Sequence, residues 1–304
     1  MNNLVEKLRR DGNFVGLKTR PARALIGWMS EQDAHTILAF PMVPATPCAE
    51  HLQRVKEAHR AVQFRTASLD QTHLLSDPGE DLHDYLAALQ VHSCYKQYIA
   101  SDCSVRVADL NQLGVIQPVV HLDHSDYSEH FRTLLPRARQ EDMLSLARIT
   151  LPIPPAEVAV QPEQQKNAWI LRFTHPDTRI VGHFSAPINL GAGLSGMGYG
   201  FYVAVLPSFV QVVCYRGRYF LKDGYHRSLA LLERGITRIP VIFRELSESH
   251  ELEVEGRFPD ATILGPHPPL LPDYLRDDVA AVVSHLASQK TITIRASEEW
   301  CWGL

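Results

Sequence analysis

Asp223, Gly224, His226 and Arg227 fall within five consecutive positions, bringing together a carboxylate, a backbone unit free to turn, an imidazole and a guanidinium. Such a set suits an anion. A glycine at a strand-to-helix junction lets the backbone approach a ligand closely, and the N–H groups that follow have no partner inside the helix. Those donors and the helix dipole attract negative charge. His226 and Arg227, placed in a first helical turn, would oppose the dipole unless an anion sat between them, and an arginine can grip a phosphate bidentately. The expected phosphate-binding set is therefore Gly224, Tyr225, His226, Arg227 and Ser228, through backbone N–H groups, side-chain cations and a hydroxyl. Asp223 and His226 are the candidate catalytic groups: Asp223 would orient a nucleophile or Mg2+, and His226 would neutralise developing charge. Asp223 is equally suited to capping the helix.

The elements that must position these groups are legible around them. Gln211–Tyr215 suits a strand, Arg216-Gly217 a tight turn, and Arg218–Lys222 the return strand. Asp223-Gly224 breaks that strand. From Tyr225 onward Leu229, Ala230 and Leu232 follow helical spacing, Gly235 stands where a helix-terminating glycine belongs, and Val241–Phe243 reads as the next strand.

With that order in place, Lys222-Asp-Gly-Tyr-His-Arg-Ser-Leu-Ala230, followed by Gly235 and Pro240-Val241, resembles the signature of the ParB/sulfiredoxin superfamily over roughly 35 residues. The resemblance implies an α/β domain whose strand–helix junction binds nucleotide phosphates. Members of that superfamily include CTP-dependent DNA clamps, the ATP-dependent repair enzyme of over-oxidised peroxiredoxin, and a free-serine kinase. Tyr225 stands where sulfiredoxins carry their nucleophilic cysteine, which sets that chemistry aside. Only Gly224 and Arg227 match the Gly-Glu-Arg-Arg of the chromosome-partitioning proteins.

The rest of the chain bounds these readings. At 304 residues it has room for two domains, and 45% hydrophobic with 21% charged residues describes a globular protein. No apolar run approaches the roughly 20 residues of a spanning helix, and residues 1–11 are polar, so neither a membrane span nor a secretory signal is expected. Five scattered cysteines without a Cys-x-x-Cys argue against a disulfide framework or structural zinc, and a cytoplasmic location is the default. A net charge of −4 does not favour nucleic acid as the main partner.

Residues 1–150 are expected to form a mainly helical domain of unknown role. Helices are read at Glu31 onward behind the Ser30 cap, at Ala49–Thr66, at Asp81–Ile99 and at Asp142–Arg148, with a strand at Val115–Leu122. The proline-rich Leu151–Ala156 marks a boundary, and residues 151–304 are expected to be the ParB/sulfiredoxin-like α/β domain. Within it Gln161–Asn167 reads as a linker, Asp273–Ser288 as a helix and Thr291–Arg295 as a strand. Gly191, Gly193 and Gly196 spell a dinucleotide fingerprint, but no helix pattern follows, and a phosphate-covering loop or packing glycines fit better. His121, Asp123, His124 and Asp126 crowd together as a metal cluster would, or as a polar turn does. No metal site is assigned.

Two classes of function follow. One is a nucleotide-dependent phosphotransferase or hydrolase, using a nucleoside di- or triphosphate with or without Mg2+. The other is a non-catalytic module, either nucleotide-sensing or DNA-associated through Arg54, Lys56, Arg60 and Arg65, or a ligand-free scaffold.

Overall fold

The computed structural model describes residues 19–41, 48–65, 69–92, 95–96, 102–121, 129–153, 161–165, 168–172, 178–191, 193–205, 208–252, 256–286 and 291–295. The chain is a mixed α/β protein of two compact units. The larger joins Met1–Pro152 to Ser208–Ala287, and the smaller joins Ile153–Pro207 to Ser288–Leu304.

The larger unit begins with β1 (Thr19–Ala24) and α1 (Glu31–Ala39). Ser30 starts α1 as its spacing requires, its hydroxyl accepting the Asp33 N–H at 3.1 Å. In α2 (Ala49–Gln63) helical spacing sets Leu52, Val55, Ala58 and Val62 on one stripe, of which the last three are buried and Leu52 is half-buried. A two-residue β2 (Leu75–Ser76) leads to a 3-10 turn and α3 (His83–Val91), where one longer helix was expected. After β3 (Ser104–Asp109), the expected strand at Val115–Leu122 is two pieces, β4 (Gly114–Val115) and β5 (Val119–His121), parted at Pro118. Then come α4 (Glu129–Leu134) and α5 (Met143–Thr150), the latter capped by Asp142, whose carboxylate accepts the Ser145 N–H at 2.9 Å.

The smaller unit holds β6 (Gln161–Gln165), β7 (Ala168–Arg172), β8 (Thr178–Gly191) and β9 (Leu194–Val205). The expected linker at Gln161–Asn167 is thus largely strand, because its polar residues pair in register with β7. The glycine series does not form a phosphate loop: Gly191 and Gly193 turn a hairpin, and Gly196 lies within β9.

The chain re-enters the larger unit with β10 (Gln211–Tyr215), β11 (Arg218–Asp223), α6 (Tyr225–Leu232), β12 (Arg238–Leu246) and α7 (Asp260–Ile263). Gly235, at φ +77, ends the helical stretch as read, with the Ile236 N–H reaching back to Leu231. The expected helix at Asp273–Ser288 is instead a 3-10 turn, Leu271–Leu275, followed by β13 (Ala281–Leu286). Its helical spacing loses to six residues of antiparallel pairing with β1, which Val282 and Val283 suit. In the smaller unit β14 (Thr291–Arg295) pairs with β7.

A six-stranded sheet runs β2-β3-β12-β10-β11-β4, and a three-stranded one β13-β1-β5. Strands from either side of residue 150 share both sheets, and β1 to β5 lie in the half expected to be helical. Position 150/151 therefore does not separate two folding units; it lies beside the point where the smaller unit leaves the larger. One apolar cluster unites Ile26 and Val55 with Leu110, Val212, Leu231 and Tyr274.

Candidate functional site

The junction of β11 and α6 is built as its sequence requires. Gly224 adopts φ +89, and a Cβ there would lie 2.7 Å from Val210 Cγ2 and 2.9 Å from Val210 Cα, so only glycine fits. The Asp223 carboxylate accepts the Gly224 N–H at 2.6 Å, and the first turn of α6 contains no acidic residue. Asp223 is thus the carboxylate that stands beside this helix N-terminus, and no further one in the first turn offsets the dipole.

Tyr225 faces inward. Its hydroxyl donates to the Leu221 carbonyl at 2.6 Å and accepts from the Ile116 and Gln117 N–H groups at 2.9 and 3.4 Å. Burial pushes this hydroxyl well above the usual phenol range, so it stays protonated. Its side chain is therefore out of a phosphate's reach, and its task is to hold residues 116–117, which lead into β5. Ser228 is likewise fully buried, and its hydroxyl has no hydrogen-bond partner among the described residues. Neither side chain lies where the expected phosphate set would need it.

Arg227 makes contacts that the sequence did not reveal. Its guanidinium donates to the Ile149 carbonyl at 3.3 Å and to Ser208 Oγ at 2.7 Å. Ile149 lies near the end of α5, before the chain leaves for the smaller unit, and Ser208 is the first residue of its return. The Val210 N–H closes the same gap by donating to the Thr150 carbonyl at 2.9 Å. Arg227 thus staples the two roots of the 153–207 segment.

His226 has company. Its ring is inclined by 23° to that of His121 at 6.4 Å between centroids, and His121 meets His285 edge-on at 4.8 Å. The sheet explains this meeting. His121 opposes Ala22 and His285 opposes Arg20, so all four side chains share one face of β13-β1-β5, and the methyl of Ala22 leaves room for the two rings. Sequence reasoning singled out His121 for a different cluster and missed His285, because its segment was read as helix. Asp123, His124 and Asp126 lie outside the described residues. No group of three or more His, Cys, Asp or Glu among the described residues is arranged to hold a metal ion.

A cleft of about 470 Å³ lies elsewhere, lined by Glu50, Gln53, Arg54, Glu57, Asp277 and Asp278. Asp277 and Asp278 are paired with Arg23 and Arg276, and Glu50 and Glu57 still outnumber Arg54, so the cleft does not favour a phosphate. Of the basic residues expected on the helical half, Arg54 lines this acidic cleft, and Arg65 is bound to the Asp273 carboxylate and stacked on Trp28 at 5.3 Å. No described helix is long and apolar enough to cross a membrane. In comparisons with known proteins, no family model, no curated protein and no solved structure matches the chain.

Proposed function

We propose that the chain binds nucleotide phosphates at the β11–α6 junction and acts there as a phosphotransferase or nucleotide hydrolase, on a ParB/sulfiredoxin-like strand–helix unit. The observation that carries this reading is the left-handed Gly224 opening a helix whose first turn has no acidic side chain and presents His226. The backbone N–H groups at the start of α6 would take the phosphate oxygens, with His226 alongside. Asp223, beside Gly224, would orient the attacking group or Mg2+.

A second reading, nucleotide sensing without turnover, is favoured by Arg227. Its guanidinium is engaged with Ile149 and Ser208, so a phosphate drawing it away would loosen the roots of the 153–207 segment. A ligand that changes those contacts shifts a structural equilibrium whether or not it reacts.

The test is a thermal-shift screen against ATP, CTP, GTP and pyrophosphate, with and without Mg2+, followed by calorimetry on His226→Ala. Ligand at a hundred times its dissociation constant adds about 2.7 kcal/mol of stability, which such a screen resolves. His226→Ala is expected to weaken binding by about tenfold or more, the scale of a lost charge-assisted hydrogen bond. No shift with any ligand in the wild-type protein sinks both readings. A shift without product formation selects the sensor.

Ser228→Ala supplies an internal control. Removing a buried hydroxyl that has no partner among the described residues is expected to leave the melting temperature of the ligand-free protein unchanged or raised. A clear fall would show that the hydroxyl is satisfied.

A further inference from the structure

The smaller unit contains a surface that the phosphate reading does not use. From Arg179 to Arg216 the sequence has no intervening Asp, Glu, Lys or Arg, and the β8–β9 hairpin occupies most of that stretch. Among the described residues the hairpin is a sheet of two strands only, so both outer edges offer unpaired backbone groups. The two edges differ. β8 carries Pro187 and a register irregularity near each end, at Ile180/Gly182 and at Asn189/Gly191. β9 pairs without a skipped residue from Leu194 to Val205 and has no proline and no charge. Edge strands are ordinarily blunted by proline, charge or bulges. β8 is blunted, and β9 is not.

The side chains on β9 point to what completes it. Met197, Tyr199 and Phe201 share one face and are 51%, 80% and 47% exposed. The other face of the strand is Gly196, Gly198 and Gly200, over which Ile188 and Phe184 of β8 lie. An antiparallel copy of β9 centred on Tyr199 sets Tyr199 against itself and each Met197 against the other copy's Phe201, a sulfur–aromatic pair. On the opposite face Gly198 meets Gly200, and Tyr202 lies against Gly196, an aromatic covering a glycine. The strand is therefore complementary to its own antiparallel copy, and having no charge it brings no like-charge repulsion to that pairing.

We infer that β9 is a self-association edge, through which two copies of this chain join their hairpins into a four-stranded antiparallel sheet about a two-fold axis. Such an isologous contact closes on itself and uses up the unguarded edge of both copies.

Sedimentation of the full chain over about a hundredfold range of concentration is expected to show a monomer–dimer equilibrium. Tyr199→Lys places two like charges face to face and is expected to weaken dimerisation by about tenfold or more. Met197→Glu and Phe201→Lys combined set opposite charges across the axis twice, and the pair should dimerise more tightly than either single variant. Tyr199→Cys should form a covalent dimer on oxidation that the wild-type chain, with its own cysteines, does not form, since directly opposed strand positions meet disulfide geometry. A wild-type chain that stays monomeric throughout overturns the inference, as does a dimer that Tyr199→Lys leaves unchanged. A monomer that co-sediments with phosphatidylcholine vesicles also overturns it, and would assign the hairpin to a lipid surface.

Discussion

Asp273→Ala is expected to destabilise the larger unit by about 3–5 kcal/mol, the cost of removing one partner from a buried ion pair. Asp273 is buried, accepts the Leu270 N–H at 2.7 Å, and binds the guanidinium of Arg65, itself mostly enclosed. Arg65 follows α2 and lies over Trp28, whose indole N–H donates to the His267 carbonyl at 2.7 Å. The pair therefore connects α2, the segment after β1 and the chain leading to β13. Losing the carboxylate leaves a guanidinium without its counter-charge and the Leu270 N–H without its acceptor. Urea denaturation would measure the loss, and the Arg65→Ala/Asp273→Ala double variant should lose less than the sum of the two singles. A cost below about 1 kcal/mol would mean that water reaches Arg65 and that the pair behaves like a surface bridge.

Gly224→Val is expected to cost about 2–5 kcal/mol, combining left-handed backbone strain with overpacking. The steric part cannot be relieved by a side-chain rotation, because one of the atoms met is the Val210 Cα. Thermal denaturation should show a fall in melting temperature of roughly 5–15 °C for a unit of this size. Gly217→Ala provides the comparison: its φ is +75, but its Cβ would meet nothing within 4 Å. That change should show backbone strain alone. Equal losses at the two glycines would mean that the Val210 contact is dispensable.

The strand, turn, strand and helix around Asp223–Arg227 were legible because they are local. Ser30, Gly217, Gly224 and Gly235 each set a dihedral or satisfy a neighbour within four residues, and such signals survive without knowledge of the rest of the chain. Nothing nearby marks the partners of β1 or β3. β3 pairs with β12 across more than a hundred residues and β1 with β13 across most of the chain, so the helical spacing of residues 273–288 offered no warning that His285 would stand on a strand. The motif residues show the same limit. The left-handed turn at Gly224 and the place of His226 in the first turn of α6 were legible because both come from local helix geometry. The inward turn of Tyr225, the burial of Ser228 and the staple made by Arg227 depend on Ile116, Ile149 and Ser208, which are remote in sequence.

The pairing of β1 with β13 also sets a timetable for the nascent chain. The two strands lie roughly 260 residues apart, so at about 5–20 residues per second β1 waits some 13–50 s on the ribosome for its partner. Among the described residues only β5 is available to it earlier, through three residue pairs. During that interval Ala22 and Ala24 and the core residues of α1 and α2 have an incomplete surface to pack on, and the larger unit cannot close until its last strand emerges. Synthesis of this fold therefore depends on an unfinished core staying unaggregated until β13 emerges, a task suited to a ribosome-associated holdase.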